Sequence, residues 1–137
     1  MADSVIIAAQ ADLPVTDFID VLRRSGLAER RPVDQVQRMA AMLANSDLVL
    51  TARAHGVLLG VSRAITDFQS CCYLADLAVD RAAQRQGIGR RLVAETHRLA
   101  GGDKVSLILL SAPMAMEYYP RIGLAPLDSA FGRLRRS

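Results

Sequence analysis

The sequence predicts an α/β protein with a mixed sheet and helices on both of its faces. Three observations carry that prediction. Three successive β-type runs, Leu48–Ala54, Val57–Ile65 and Tyr73–Val79, occupy the middle of the chain, which a regular doubly wound sheet does not allow. Stretches with helical apolar spacing flank them on either side. Finally, Val105–Leu110 is an almost uninterrupted apolar run, as expected of a central strand covered on both faces.

In chain order, Val5–Ala8 reads as a first strand. Pro14 opens a helix in which Phe18, Val21 and Leu22 recur at helical spacing, and Gly26 ends it. Glu29–Pro32 is a polar connector. A second helix is expected from Pro32 and Asp34, with Val36, Met39, Met42 and Leu43 on one side. Ala54-His55-Gly56 supplies a hairpin turn between two strands, and Thr66–Ser70 a second turn. From Ile88 to Ala100 the residues Ile88, Leu92, Val93, Thr96 and Leu99 share one helical face, and Gly101-Gly102 stops it. Ser111-Ala112-Pro113 resembles an N-cap with proline in the first turn, and that helix must end near Tyr119 because Pro120 follows. Ile122–Arg135 is assigned a last strand. The full order is β-α-α-β-β-β-α-β-α-β, read as one domain over residues 1–137.

Composition narrows the function. The 137 residues are 51% hydrophobic, yet no apolar run approaches the roughly 20 residues of a membrane helix. No basic segment followed by an apolar run opens the chain, so no secretory signal is expected and a cytoplasmic setting is. The two cysteines, Cys71 and Cys72, are adjacent and have no histidines nearby, which suits neither a disulfide staple nor zinc. Net charge is +3, with 16 arginines and the single Lys104 supplying the positive side. Arginine forks onto phosphate in bidentate fashion, so this bias favours anion recognition. Trp is absent and aromatics are 4%, which disfavours a base-stacking nucleic-acid module.

The most informative stretch is Val79-Asp80-Arg81-Ala82-Ala83-Gln84-Arg85-Gln86-Gly87-Ile88-Gly89-Arg90. A strand ends, a basic glycine-containing loop follows, and a helix begins at once. Unpaired N–H groups at a helix start receive phosphate oxygens well, and Gly87 and Gly89 let that backbone come close to a ligand. Arg85, Arg90 and Arg91 would add charge. The bland alternative is a strand-to-helix turn with solvated arginines. A dinucleotide fingerprint would need a third glycine where Leu92 stands, and a Walker loop would need Lys-Ser/Thr where Arg90-Arg91 stand.

Gln84-Arg85-Gln86-Gly87-Ile88-Gly89 after a Leu-Ala-Val strand resembles the Q/R-x-x-G-x-G/A pyrophosphate motif of the GNAT N-acetyltransferase family. Tyr118-Tyr119-Pro120-Arg121-Ile122-Gly123-Leu124 is similar to the family's late F-Y-x-x-x-G-F segment, with Tyr119 on its tyrosine. Pro120 and Leu124 depart from the commoner residues there. The resemblance covers nearly the whole chain. It implies a GNAT-like fold with a splayed central sheet, in which a final strand pair is shortened.

The resemblance further implies acetyl-CoA as acetyl donor, a primary amine as acceptor, and no metal. The CoA pyrophosphate would sit on the amides of Gln84, Arg85, Gln86, Gly87, Ile88, Gly89 and Arg90. The pantetheine arm would pair with the strand at Leu77, Ala78 and Val79, and the Val79 amide would polarise the thioester carbonyl. Tyr119 is the candidate general acid for the departing thiolate, against the alternative of an aromatic closing the core. Tyr118 would point elsewhere and pack.

Asp76 lies mid-strand on the face of Leu74 and Ala78. A buried carboxylate is rare unless used or paired, so it is either the base for the amine or a partner for an arginine. His55 and His97 read as solvated, Cys71 and Cys72 as half-buried small side chains, Ser111 as a cap, and Arg133, Arg135 and Arg136 as a solvated tail. In this family Glu29–Arg31 and Thr66–Phe68 lie in connectors lining the acceptor pocket. With only Glu29 and Asp67 as acids there, a small, weakly charged amine is favoured over a polycation. The expected partners are acetyl-CoA and that amine, with a homodimer left open and neither nucleic acid nor membrane involved. A catalytically idle acyl-CoA sensor on the same fold is the competing reading.

Overall fold

The computed structural model describes residues 4–137. Five strands form one sheet in chain order: β1 (Ile6–Ala9), β2 (Leu48–Ala54), β3 (Val57–Thr66), β4 (Cys71–Val79) and β5 (Ser106–Ile108). Neighbours are antiparallel except β4 and β5, which run parallel. The β2–β3 hairpin turns through His55 and Gly56, both at positive φ.

One face of the sheet is covered by α1 (Val15–Ser25) and α2 (Val36–Ala44). Phe18, Val21, Leu22 and Met39 are fully buried there against Val49, Leu58, Val61 and Ala78. Each such side chain contributes roughly 1.5–3 kcal/mol by leaving water. Gly26 ends α1 in the left-handed conformation, its N–H donating to Arg23 O. The other face carries α3 (Ile88–Ala100), whose Ile88 and Leu92 pack on Leu50 and Ala52. Beside them the Ser62 and Thr96 hydroxyls share a buried hydrogen bond of 2.8 Å. Among the described residues no helix is long and apolar enough to cross a membrane.

Expectation and structure part in four places. The second helix begins at Val36, because Pro32–Gln35 forms a turn in which Gln35 N–H donates to Pro32 O. β5 is a three-residue edge strand, not a covered central one, and Ile108 and Leu110 are 39% and 61% exposed. The helix expected from Ser111 is broken into a 3-10 turn, Pro113–Ala115, and a single α-turn, α4 (Tyr118–Arg121). Pro120 fits inside α4 because the first N–H groups of a helix have no partner within it. No strand forms after α4 among the described residues. Pro126 removes a donor from that tail, and its apolar residues do not alternate as a half-buried strand requires.

Candidate functional site

β4 is paired with β3 from Cys72 to Val79, with a bulge at Ala75, but meets β5 only through Cys71–Tyr73 opposite Ser106–Ile108. From Leu74 to Val79 the sheet is split, and one edge of β4 is open. Asp80 N–H donates to Leu59 O on β3. Successive residues of a strand turn their backbone groups to opposite sides, so Leu77 and Val79 direct their N–H groups to the open edge. Ala78 directs its own toward β3, and its side chain lies buried in the core beneath α1. Ala78 therefore has no backbone group for a ligand in the cleft, contrary to expectation. Two side chains hold carbonyls next to this edge: Gln84 Nε2 donates to Val79 O (2.9 Å) and Arg31 Nη2 to Ala75 O (2.9 Å).

The Val79 end runs directly into the anion loop. Asp80 caps the short turn Arg81–Ala83 by accepting from Ala82 N–H, while its other oxygen accepts from Arg24 Nη1 at 2.6 Å. These bonds, the backbone one first, hold the Asp80 carboxyl below its usual range. Arg85 has φ +65 and Gly87 φ +81. A non-glycine residue in that region costs on the order of 1–2 kcal/mol, which marks Arg85 as held by its surroundings. Gly87 is the N-cap of α3, and no side chain caps this helix start. The first-turn amides around Ile88, Gly89 and Arg90 are the natural seat for an anion. Ile88 is itself buried, so only its amide is available; Gln86, Arg85 and Arg90 are exposed at the rim. Arg91, expected to add charge here, instead sends Nη2 to Val5 O at the start of β1.

The two tyrosines of α4 meet opposite ends of the open β4 edge. Their rings meet edge to face with centroids 5.2 Å apart. The Tyr118 hydroxyl lies over Gly89, so close that a Cβ at position 89 would come within 2.5 Å of it. Tyr118, read from sequence as packing, is thus the tyrosine on the anion loop. Burial pushes its phenol up, opposed by the charge of Arg90. Tyr119 faces the other end. Burial, reinforced by Tyr118 and opposed by Arg31, pushes its phenol up to about 12. It is a neutral O–H donor at physiological pH.

At that end Asp76 has a side chain with no solvent exposure. Its Oδ1 accepts from Arg31 Nε and its Oδ2 from Arg63 Nε, each at 2.5 Å. Arg63, opposite Asp76 on β3, also reaches Ser46 Oγ at 3.3 Å. Both oxygens are occupied and out of reach of an acceptor, so the geometry supports the arginine-partner reading of Asp76 and not the base. The in-register partner thirteen residues earlier was the signal that could have identified Arg63. Nothing local singled out Arg31 beyond its place in a polar connector.

The other single polar residues resolve simply. His97 does not stand in solvent but bridges Nε2 to Val105 O at 2.6 Å. His55 is exposed in its turn, Cys71 is exposed and Cys72 buried. Ser111 caps no helix, and its hydroxyl donates to Ala112 O.

The family described as "Acetyltransferase (GNAT) domain" matches residues 20–133, which include the loop, the split edge and both tyrosines. The chain belongs to the GNAT acetyltransferase family. Solved structures of similar fold agree. A GNAT-family acetyltransferase, SP0256 from Streptococcus pneumoniae TIGR4, is 20% identical with a TM-score of 0.69, over 97% of this chain and 98% of that one. An aminoglycoside acetyltransferase, meta-AAC0020 from an uncultured soil metagenomic sample, in complex with sisomicin, is 18% identical with a TM-score of 0.73, over 97% and 96%. The aminoglycoside N-acetyltransferase AAC(6')-Iy in complex with CoA is 15% identical with a TM-score of 0.71, over 97% and 95%. No curated protein is matched. After β5 and α4 no further strand follows among the described residues.

Proposed function

We propose that this GNAT domain transfers an acetyl group from acetyl-CoA to a primary amine of a small molecule, or to a peptide N-terminus, by direct attack in a ternary complex. The observation that carries the reading is the open β4 edge leading without a break into the uncapped start of α3. An extended thioester arm could pair with the Leu77 and Val79 amides while its pyrophosphate takes the loop amides between Gln84 and Arg90. The Val79 N–H would stabilise charge developing on the thioester oxygen.

The amine attacks in its neutral form: its nitrogen bonds the acetyl carbon, the C–S bond breaks, and the amine proton passes to solvent. The departing thiolate takes a proton from the Tyr119 phenol, which burial keeps protonated, and the phenolate regains a proton from solvent. Asp76 enters only as a positioning residue that holds Arg31 and Arg63. The test is thiol release from acetyl-CoA with a panel of amines. Wild type should release thiol with at least one acceptor, and Tyr119→Phe should lower kcat by roughly tenfold or more with little change in acetyl-CoA affinity. Tight CoA binding without thiol release for any amine would make the domain an acyl-CoA sensor instead.

A further inference from the structure

The Arg30 carbonyl oxygen accepts from two arginines at once. Arg31 Nη1 donates to it at 2.9 Å and Arg135 Nη2, from the C-terminal tail, at 3.2 Å. Whatever the angle between these bonds, the two nitrogens lie within about 6 Å of each other. The charges there are poorly balanced. Asp76 is shared between Arg31 and Arg63, so one carboxylate serves two guanidinium groups. Arg135 has no carboxylate partner among the described residues. Two guanidinium groups this close raise the local positive potential and so favour an anion placed near both.

The place matters as much as the charge. Arg31 is bound to Ala75 O on β4 and its charge acts on the Tyr119 phenol, so the pair stands at the end of the cleft away from the anion loop. A third arginine, Arg38 of α2, donates to Ser137 O and so also holds the tail. Arg31 is rigid because its Nε, Nη1 and Nη2 are all bonded, yet its side chain keeps 20% exposure. Nη1 and Nη2 each carry a second hydrogen beyond these bonds, and a guanidinium presents such hydrogens well to carboxylate and phosphate.

We infer that Arg31 and Arg135 form an acceptor-side anion site, so that the preferred amine carries a carboxylate or phosphate group remote from the reacting nitrogen. This rests on the acetyltransferase reading above and sharpens it: the substrate is an acidic amine, neither a polycation nor a weakly charged one. The arginine tail, read from sequence as solvated, then contributes a specificity determinant.

The test compares matched acceptors with the intact chain at saturating acetyl-CoA: a long-chain ω-amino acid, whose carboxylate is remote from the amine, against its amide, and a long-chain aminoalkyl phosphate against the parent amino alcohol. The expected result is a kcat/KM at least about tenfold higher for one or both acidic members, with most of the difference in KM and a decline as salt rises. Which member wins separates carboxylate from phosphate. Arg135→Glu should reduce that preference ratio by at least about tenfold, and Arg135→Lys should restore part of it, since a point charge lacks the fork. Equal kcat/KM for acidic and neutral members, or a ratio unchanged by Arg135→Glu, overturns the inference.

If no amine is acetylated, it is the acetyltransferase reading that fails, and the site is judged by binding alone. Inorganic phosphate should then raise the melting temperature of CoA-saturated wild type but not of CoA-saturated Arg135→Glu. An identical response in both would end the proposal.

Discussion

At the Val79 end of the open β4 edge the groups on offer are backbone: the uncapped amides of the helix start that follows Gly87, with arginines only at the rim. At the Ala75 end, charge is met by side chains locked in place by ion pairs, with Asp76 wholly buried between Arg31 and Arg63. Backbone recognition depends on chain path and on the lack of a Cβ, so most substitutions around it are tolerated. Side-chain recognition depends on particular groups and on the tertiary contacts that hold them. The first suits a donor common to a family, and the second suits an acceptor that varies between its members.

The largest difference between the two ends should emerge at Asp76. Asp76→Ala leaves two guanidinium groups facing each other without their shared anion, one of them almost entirely buried. Removing one partner of a buried pair typically costs about 3–5 kcal/mol. The melting temperature should fall sharply, and Asp76→Asn, which keeps the shape but not the charge, should lose much of the same stability. Activity that survives should be reduced evenly across pH. A stable Asp76→Asn enzyme whose deficit disappears as pH rises would return Asp76 to the role of base.

A smaller effect is expected at Gly89, where the backbone end touches α4. Gly89→Val should raise the acetyl-CoA dissociation constant by about tenfold, or roughly 1.4 kcal/mol, by obstructing the loop. Gly89→Ala isolates the contact with Tyr118. Alone, its Cβ must displace the phenol oxygen 2.5 Å away; in a Tyr118→Phe background the nearest ring carbon is at an ordinary 3.5 Å. Alanine within a helix is favoured over glycine by about 1 kcal/mol, so Gly89→Ala should stabilise the Tyr118→Phe protein more than it stabilises wild type. Equal effects in the two backgrounds would mean that Tyr118 does not rest on the loop.

A third effect, confined to alkaline pH, concerns Tyr119. Its phenol titrates near 12 when folded against about 10 when unfolded, so the unfolded chain gives up this proton first. This contribution to stability is intact below pH 10 and is lost as pH rises from 10 through 12. Denaturant unfolding of wild type over that range should show a steeper alkaline decline than Tyr119→Phe. Superimposable pH profiles would place the phenol in water rather than in the cleft wall.

The junction of loop and helix at Gln84–Arg90 was legible in the sequence because its information is local. A strand, two glycines and the 3.6-residue spacing of Ile88, Leu92, Val93, Thr96 and Leu99 specify a helix start, and α3 occupies the predicted Ile88–Ala100. Gly26 and the His55-Gly56 turn were legible for the same reason, since each answers to φ at one residue. The chain's membership of the GNAT family followed from such segments.

What only the tertiary structure decided is non-local. Adjacent tyrosines leave a one-turn helix in different directions, and their roles depend on what each meets: Gly89 for Tyr118, Arg31 for Tyr119. Asp76 had two chemically sound readings in the sequence, and the choice rested on arginines 45 and 13 residues away. The apolar run Val105–Leu110 suggested a covered strand, but burial depends on neighbours, and the tail expected to form a last strand instead lies against Arg30 and Arg38. Local sequence sets backbone conformation through sterics and hydrogen bonding, whereas the ionic and acid–base character of a side chain is set by whatever the fold brings against it.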